Sequence, residues 1–232
     1  EIFFEELGLR RPDHFLDVDT SSLGRVLGEV LIRIEQVLLQ EKPDAFLVLG
    51  DTNSCIAAVM AKRMRIPVYH MEAGNRCFDE NVPEETNRRM IDHVADFNLV
   101  YTEHARRNLL AEGIHPRRIL LTGSPMNEVL AVQRSAIEAS DVLERLGLEE
   151  GGYFLVSAHR EENVDKPTRL SALLDCLEAV VDEYGVPVLV STHPRTRKRL
   201  EAAGREVAGV RFHKPLGFHD YNHLQLKARC VL

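Results

Sequence analysis

The chain has 232 residues, 44% of them hydrophobic and 28% charged, enough for one large domain or for one domain and part of another. A formal net charge of −7 and a pI near 5.8 exclude a broad nucleic-acid or polybasic membrane surface, because no cationic field exists to neutralise phosphates. No apolar run is long enough to span a bilayer, and the four cysteines (Cys55, Cys77, Cys176, Cys230) form no CxxC pair, so they read as reduced thiols in a cytoplasmic protein.

In chain order, "EIFFEELGL" at the start reads as the last turns of a helix. "SLGRVLGEVLIRIEQVLLQ" (22–40) has apolar residues at helical spacing, with Ser21 or Ser22 as N-cap and Pro43 shortly beyond its end. "AFLVLG" (45–50) is a short continuous apolar run, expected of a strand covered on both faces. A helix over 54–64, a strand "IPVYHME" (66–72) and a helix opened by Pro83 follow. Strands at 97–102 and 118–123 then alternate with helices at 103–113 and 126–137. The rhythm restarts at "YFLVSAH" (153–159), with a helix over 169–184, a strand "VPVLVST" (186–192) and a helix around 195–203. Strands alternating with helices predict βα units and parallel sheets. The Glu/Gly-rich junction near 148–152 is the expected seam between two sheets. The last residues, "ARCVL", read as a strand just begun, so the chain is expected to be a fragment.

Ligands of open parallel sheets bind beyond the carboxyl ends of the strands. Polar clusters fall there repeatedly: "GDTNS" (50–54), "EAGNR" (72–76), "TGSPMN" (122–127), "SAHREEN" (157–163) and "STHPR" (191–195). Asp51 either caps the following helix or handles protons. Glu72 ends an apolar strand, where a partly desolvated carboxylate suits proton transfer; a salt bridge to Arg76 is the alternative. In "PEETNRR", Glu84 and Glu85 complement the helix dipole and form i,i+4 pairs with Arg88 and Arg89, so the segment by itself is a well-made helix start. His159 and Arg160 suit a diphosphate, and His193 repeats that placement. The ten histidines show no HExxH or similar spacing, and there is no GxGxxG or GxxxxGK[ST], so neither a metal nor another cofactor is expected.

Taken in order, "GDTNS", "EAGNR", "VPEETNRR", "TGSPMNEVL" and "SAHREEN" resemble the non-hydrolysing UDP-N-acetylglucosamine 2-epimerase family. "HMEAGNRCFD" and "HREEN" are similar to the capsule and O-antigen branch, which includes UDP-N-acetyl-L-fucosamine-type 2-epimerases. The resemblance implies a GT-B-like fold of two Rossmann-like parallel-sheet domains with the nucleotide sugar in the cleft. Their expected limits are 1–138, with the first strand missing, and 139–232, the start of the C-terminal domain. It implies catalytic roles for Asp51, Glu72, Glu84 and His159, and substrate contacts for Thr52, Arg76, Arg88, Arg160 and His193. Which carboxylate serves which face of the sugar stays open. The implied partners are a UDP-N-acetylated sugar and a second copy in a homodimer, with no nucleic acid and no membrane.

The implied reaction is elimination and re-addition. A base removes H2 while UDP leaves from C1, giving a 2-acetamidoglycal; UDP and a proton then return with C2 inverted. A GT-B glycosyltransferase, distinguished by its need for an acceptor, and an inactive UDP-sugar-binding protein are the competing readings.

Overall fold

The computed structural model describes residues 2–157, 167–192 and 207–232. They divide into two compact units, one of residues 12–127 and one of residues 2–11 with 128–232.

The first unit begins with α2 (Leu23–Glu41), preceded in the chain by the short α1 (Ile2–Glu6) of the other unit. Ser22 caps α2 by accepting the Arg25 N–H, and Lys42 ends it at φ 47° with its own N–H on the Leu38 carbonyl. Val30, Ile34 and Leu38 form its buried stripe at four-residue spacing. Strands β1 (Phe46–Leu49), β2 (Val68–Met71), β3 (Phe97–Val100) and β4 (Ile119–Leu121) follow, all parallel and in the order β1-β2-β3-β4. Helices α3 (Ala57–Arg63), α4 (Pro83–Val94) and α5 (Glu103–Ala111) connect them. Val48 and Val68 pack with Ala57, Ala58 and Ala61 of α3 and Ile91 of α4 in one core. The β1 strand was expected to be covered on both faces. Instead Leu47 and Leu49 are 58% and 62% exposed, because α2, α3 and α4 all pack on the Val48 side.

In the second unit α6 (Met126–Glu138) and α7 (Val142–Leu146) lead into β5 (Phe154–Ser157). Helix α8 (Pro167–Tyr184), β6 (Val188–Ser191), β7 (Val210–His213), α9 (Phe218–Lys227) and β8 (Cys230–Val231) follow. The sheet order is β7-β6-β5-β8, again all parallel. Here both faces are covered. Phe154, Val156, Val188 and Val190 face Leu170, Leu174 and Leu177 of α8, while Leu155 and Leu189 face Val142 and Leu224. Buried Tyr153 fastens α9 by donating its hydroxyl to the Leu224 carbonyl at 2.7 Å.

The compact units part the chain elsewhere than at 138/139. Ile137 is buried and its carbonyl accepts from His223 of α9, while Glu6 accepts the Phe218 N–H, so α6 and α1 go with the second sheet. The helix expected around 195–203 lies outside the described residues.

Candidate functional site

Parallel strands deliver their carboxyl ends to one edge, and the first unit gathers its acids there. After β1 the chain turns at Gly50 (φ 71°), whose N–H bonds the Met71 carbonyl, and presents Asp51. Asp51 is not the helix cap. Thr52 occupies the cap position of the short 3₁₀ turn Asn53–Ile56 without a side-chain capping bond. Asp51 Oδ2 instead accepts Arg88 Nε at 2.8 Å and Nη2 at 2.7 Å. Asn87, one residue before Arg88 on α4, donates to the Asp51 carbonyl at 2.9 Å. The first two turns of α4 therefore fix both the backbone and the charge of Asp51.

After β2 comes Glu72, half-buried and at φ 66°. A side chain in the left-handed region stores strain on the order of 1 kcal/mol, and such residues cluster at functional sites. Its neighbour Gly74 (φ 79°) has to be glycine: a Cβ there would lie 2.5 Å from the Ala105 carbonyl oxygen. Glu72 takes Asn75 Nδ2 at 3.3 Å and makes no salt bridge to Arg76. Tyr101, just beyond β3, has its hydroxyl pKa raised, first by burial and then by the Glu72 charge. Three adjacent strand ends thus carry Asp51, Glu72 and Tyr101, the last of which sequence reasoning missed.

Arg76, expected as a substrate contact, has a fully buried side chain. Its Nη1 donates to Asp92 at 2.8 Å and to the Asn75 carbonyl at 2.7 Å, and its Nε and Nη2 grip Glu112 at 2.7 and 2.6 Å. No face of the guanidinium is open to a ligand, so it acts as an internal tie. The expected Glu84–Arg88 pair is replaced by Glu85–Arg88 at 3.2 Å, while Glu85–Arg89 forms as expected at 3.0 Å. Burial would raise the Glu85 carboxyl, but the Cys77 N–H and Arg89 outweigh it and hold its pKa at about 2. Glu84 is exposed in the first turn of the same helix. Thr52 is exposed and bonds Ser54 Oγ at 2.7 Å. His159, Arg160 and His193 lie outside the described residues. The Cys55 thiol, buried and facing Asp51 and Asp92, is pushed up to about 11, which disqualifies it as a nucleophile. Among the described residues no group of three metal-ligating side chains occurs.

Two all-parallel α/β sheets, one bearing acids and an arginine at its carboxyl edge, define the class as a Rossmann-like protein of GT-B-like type. The family model described as UDP-N-acetylglucosamine 2-epimerase matches residues 1–232, and the chain belongs to that family. The UDP-N-acetylglucosamine 2-epimerase of Methanocaldococcus jannaschii is 35% identical over 241 residues, covering 100% of this chain and 66% of that protein. Its crystal structure in complex with UDP-GlcNAc and UDP matches 99% of this chain with a TM-score of 0.91. A UDP-N-acetylglucosamine 2-epimerase structure from Rickettsia bellii is 45% identical with a TM-score of 0.90, covering 99% of this chain and 61% of that one. The UDP-2,3-diacetamido-2,3-dideoxy-D-glucuronate 2-epimerase of Pseudomonas aeruginosa is 36% identical over 236 residues, covering 100% of this chain and 65% of that protein. The chain therefore spans 61–66% of the length of these relatives.

Proposed function

We propose that the protein is a non-hydrolysing 2-epimerase of UDP-2-acetamido sugars, serving the synthesis of cell-surface polysaccharide precursors. The observation that carries the reading is the pair Asp51 and Glu72 at the ends of neighbouring strands, in a chain that matches the epimerase family from end to end. The C2 proton of such a sugar has no adjacent carbonyl to acidify it, so its removal has to be coupled to departure of a leaving group. A carboxylate takes H2, the C2–H electron pair forms the C1=C2 bond, and the C1–O pair leaves with UDP. The return protonates C2 from the other face as the UDP oxygen attacks C1. This requires one acid/base group on each side of the ring and a cationic seat for the diphosphate.

Asp51, Glu72 and Glu84 supply the candidate acid/base groups. Arg88, held on Asp51, orients that acid. Thr52 is assigned to substrate contact, and His159, Arg160 and His193 to the diphosphate on their sequence placement alone. The relatives differ in the sugar they are named for, one of them a uronate, so the substituent at C6 is the open variable. A homodimer in the cytoplasm, acting without a metal or nicotinamide cofactor, completes the proposal.

The test uses the full-length protein in D₂O with UDP-N-acetylglucosamine and, separately, its 6-deoxy and uronate counterparts. Loss of the H2 proton NMR signal together with the C2 epimer establishes the reaction and names the sugar. Saturable UDP binding with H2 retained in every sugar sinks it.

A further inference from the structure

Beneath the ends of β1 and β2 lies a charged cluster that the proton-transfer reading leaves unused. His70 is fully buried on β2, two residues before Glu72. Its Nδ1 lies 2.8 Å from Asp92 Oδ1, and its Nε2 lies 2.9 Å from the carbonyl oxygen of Gly50, the residue before Asp51. A carbonyl oxygen only accepts, so Nε2 carries a hydrogen. Asp92 Oδ2 receives Arg76 Nη1 at 2.8 Å, and both of its oxygens receive the Gly74 N–H at 3.2 Å. With both ring nitrogens engaged, His70 is sealed inside the first unit. Arg76 beside it pairs with both Asp92 and Glu112.

Desolvating charged and polar groups is unfavourable, and an apolar residue at position 70 would pack the same space without that penalty. What the cluster connects gives it a purpose. The His70 imidazole holds the carbonyl of Gly50, and its partner carboxylate holds the N–H of Gly74. Those two backbone groups flank the reacting acids, one immediately before Asp51 and the other two residues after Glu72. Gly50, Glu72 and Gly74 all lie at positive φ, at 71°, 66° and 79°, so both turns need outside bonds to hold their direction.

We propose that His70 and Asp92 are positioning residues: together they clamp the Gly50–Asp51 turn to the Glu72–Gly74 turn and so set the spacing and aim of the two carboxylates. The proposal rests on Asp51 and Glu72 being the proton-handling groups. Neither His70 nor Asp92 is exposed, so neither exchanges a proton with substrate. Their effect is on geometry alone, and misplacement of a reacting group by about 1 Å lowers turnover roughly 10²-fold.

Three variants of the full-length protein test this: His70→Leu removes both ring nitrogens, Asp92→Asn keeps the volume and an acceptor for Gly74, and His70→Gln restores a donor within reach of the Gly50 carbonyl. Each is assayed with UDP-N-acetylglucosamine well below its own unfolding midpoint, alongside UDP affinity by calorimetry. His70→Leu and Asp92→Asn are expected to lower kcat about 10²-fold while KM and UDP affinity move less than about threefold. His70→Gln is expected to recover about tenfold of that loss. If kcat in folded Asp92→Asn stays within about threefold of wild type, the clamp is wrong, and this near-isosteric variant decides the matter even where His70→Leu does not fold. A fall in kcat, UDP affinity and unfolding midpoint together, with no recovery in His70→Gln, also overturns it, since that pattern marks a merely structural role. The wild-type arm separates the two failures: no C2 inversion there removes the epimerase reading itself.

Discussion

Asp51 and Glu72 reach one edge of the sheet by different local means. Asp51 follows a glycine turn and is held by Arg88, whereas Glu72 itself occupies the left-handed region and is flanked by Gly74. Replacing Glu72 by glutamine preserves size and removes the base. It should lower kcat about 10²–10⁴-fold with UDP affinity nearly unchanged, as read by turnover and calorimetry. Turnover near wild type in Glu72→Gln would take it out of the mechanism. Gly74→Ala meets both an unfavourable φ and the Ala105 carbonyl, and should lose more than about 1 kcal/mol in urea unfolding. These residues were legible because glycine and carboxylate together at a strand end break an apolar pattern. His70 and Asp92 were not. A single histidine in a short strand and an aspartate inside an amphipathic helix carry no local mark of the distant partners that let both be buried.

At the scale of the element, α4 carries several duties at once. Its first two turns present Glu84 outward and hold Asp51 through Asn87 and Arg88, and its last turns place Asp92 in the core. The i,i+4 reading of "PEETNRR" captured the Glu85–Arg89 pair. It could not show that Arg88 is claimed by a residue 37 positions earlier in the chain. Arg76 joins α4 to Glu112 just past α5, so Arg76→Met removes the buried guanidinium that Asp92 and Glu112 share. That change should destabilise the protein by about 3–5 kcal/mol, measured by denaturant unfolding. In the second unit, Tyr153→Phe takes the hydroxyl donor from the Leu224 carbonyl, which keeps the Ala228 N–H, and about 0.5–1.5 kcal/mol should be lost.

Across the whole molecule, ion pairs and hydrogen bonds hold carboxyl pKa values down in both units. Arg76 lowers Glu112; for Asp96 and Asp220 burial opposes the shift, but Lys62 and the Val68 N–H lower the first and Ser140 and Arg145 the second. Glu85 is the extreme case, at about 2 in the fold against an ordinary 4.5. Since the folded values are the lower ones, unfolding takes up protons. Their stabilisation is complete above the unfolded carboxyl range and lost as pH falls toward about 2. Urea unfolding at about pH 7 and about pH 3 should show this loss, and Glu85→Gln should make the difference between them smaller. The sequence by itself determined the alternation of strands and helices, the parallel sheets and the strand-end acids. Apolar periodicity, caps and glycine turns are local, written within a few residues of the elements they specify. Only the tertiary structure decided which arginine meets which acid, which face of β1 lies open, and that His70 is buried against Asp92. Those outcomes depend on contacts between residues far apart in the chain and on the exclusion of water, neither of which a local pattern encodes.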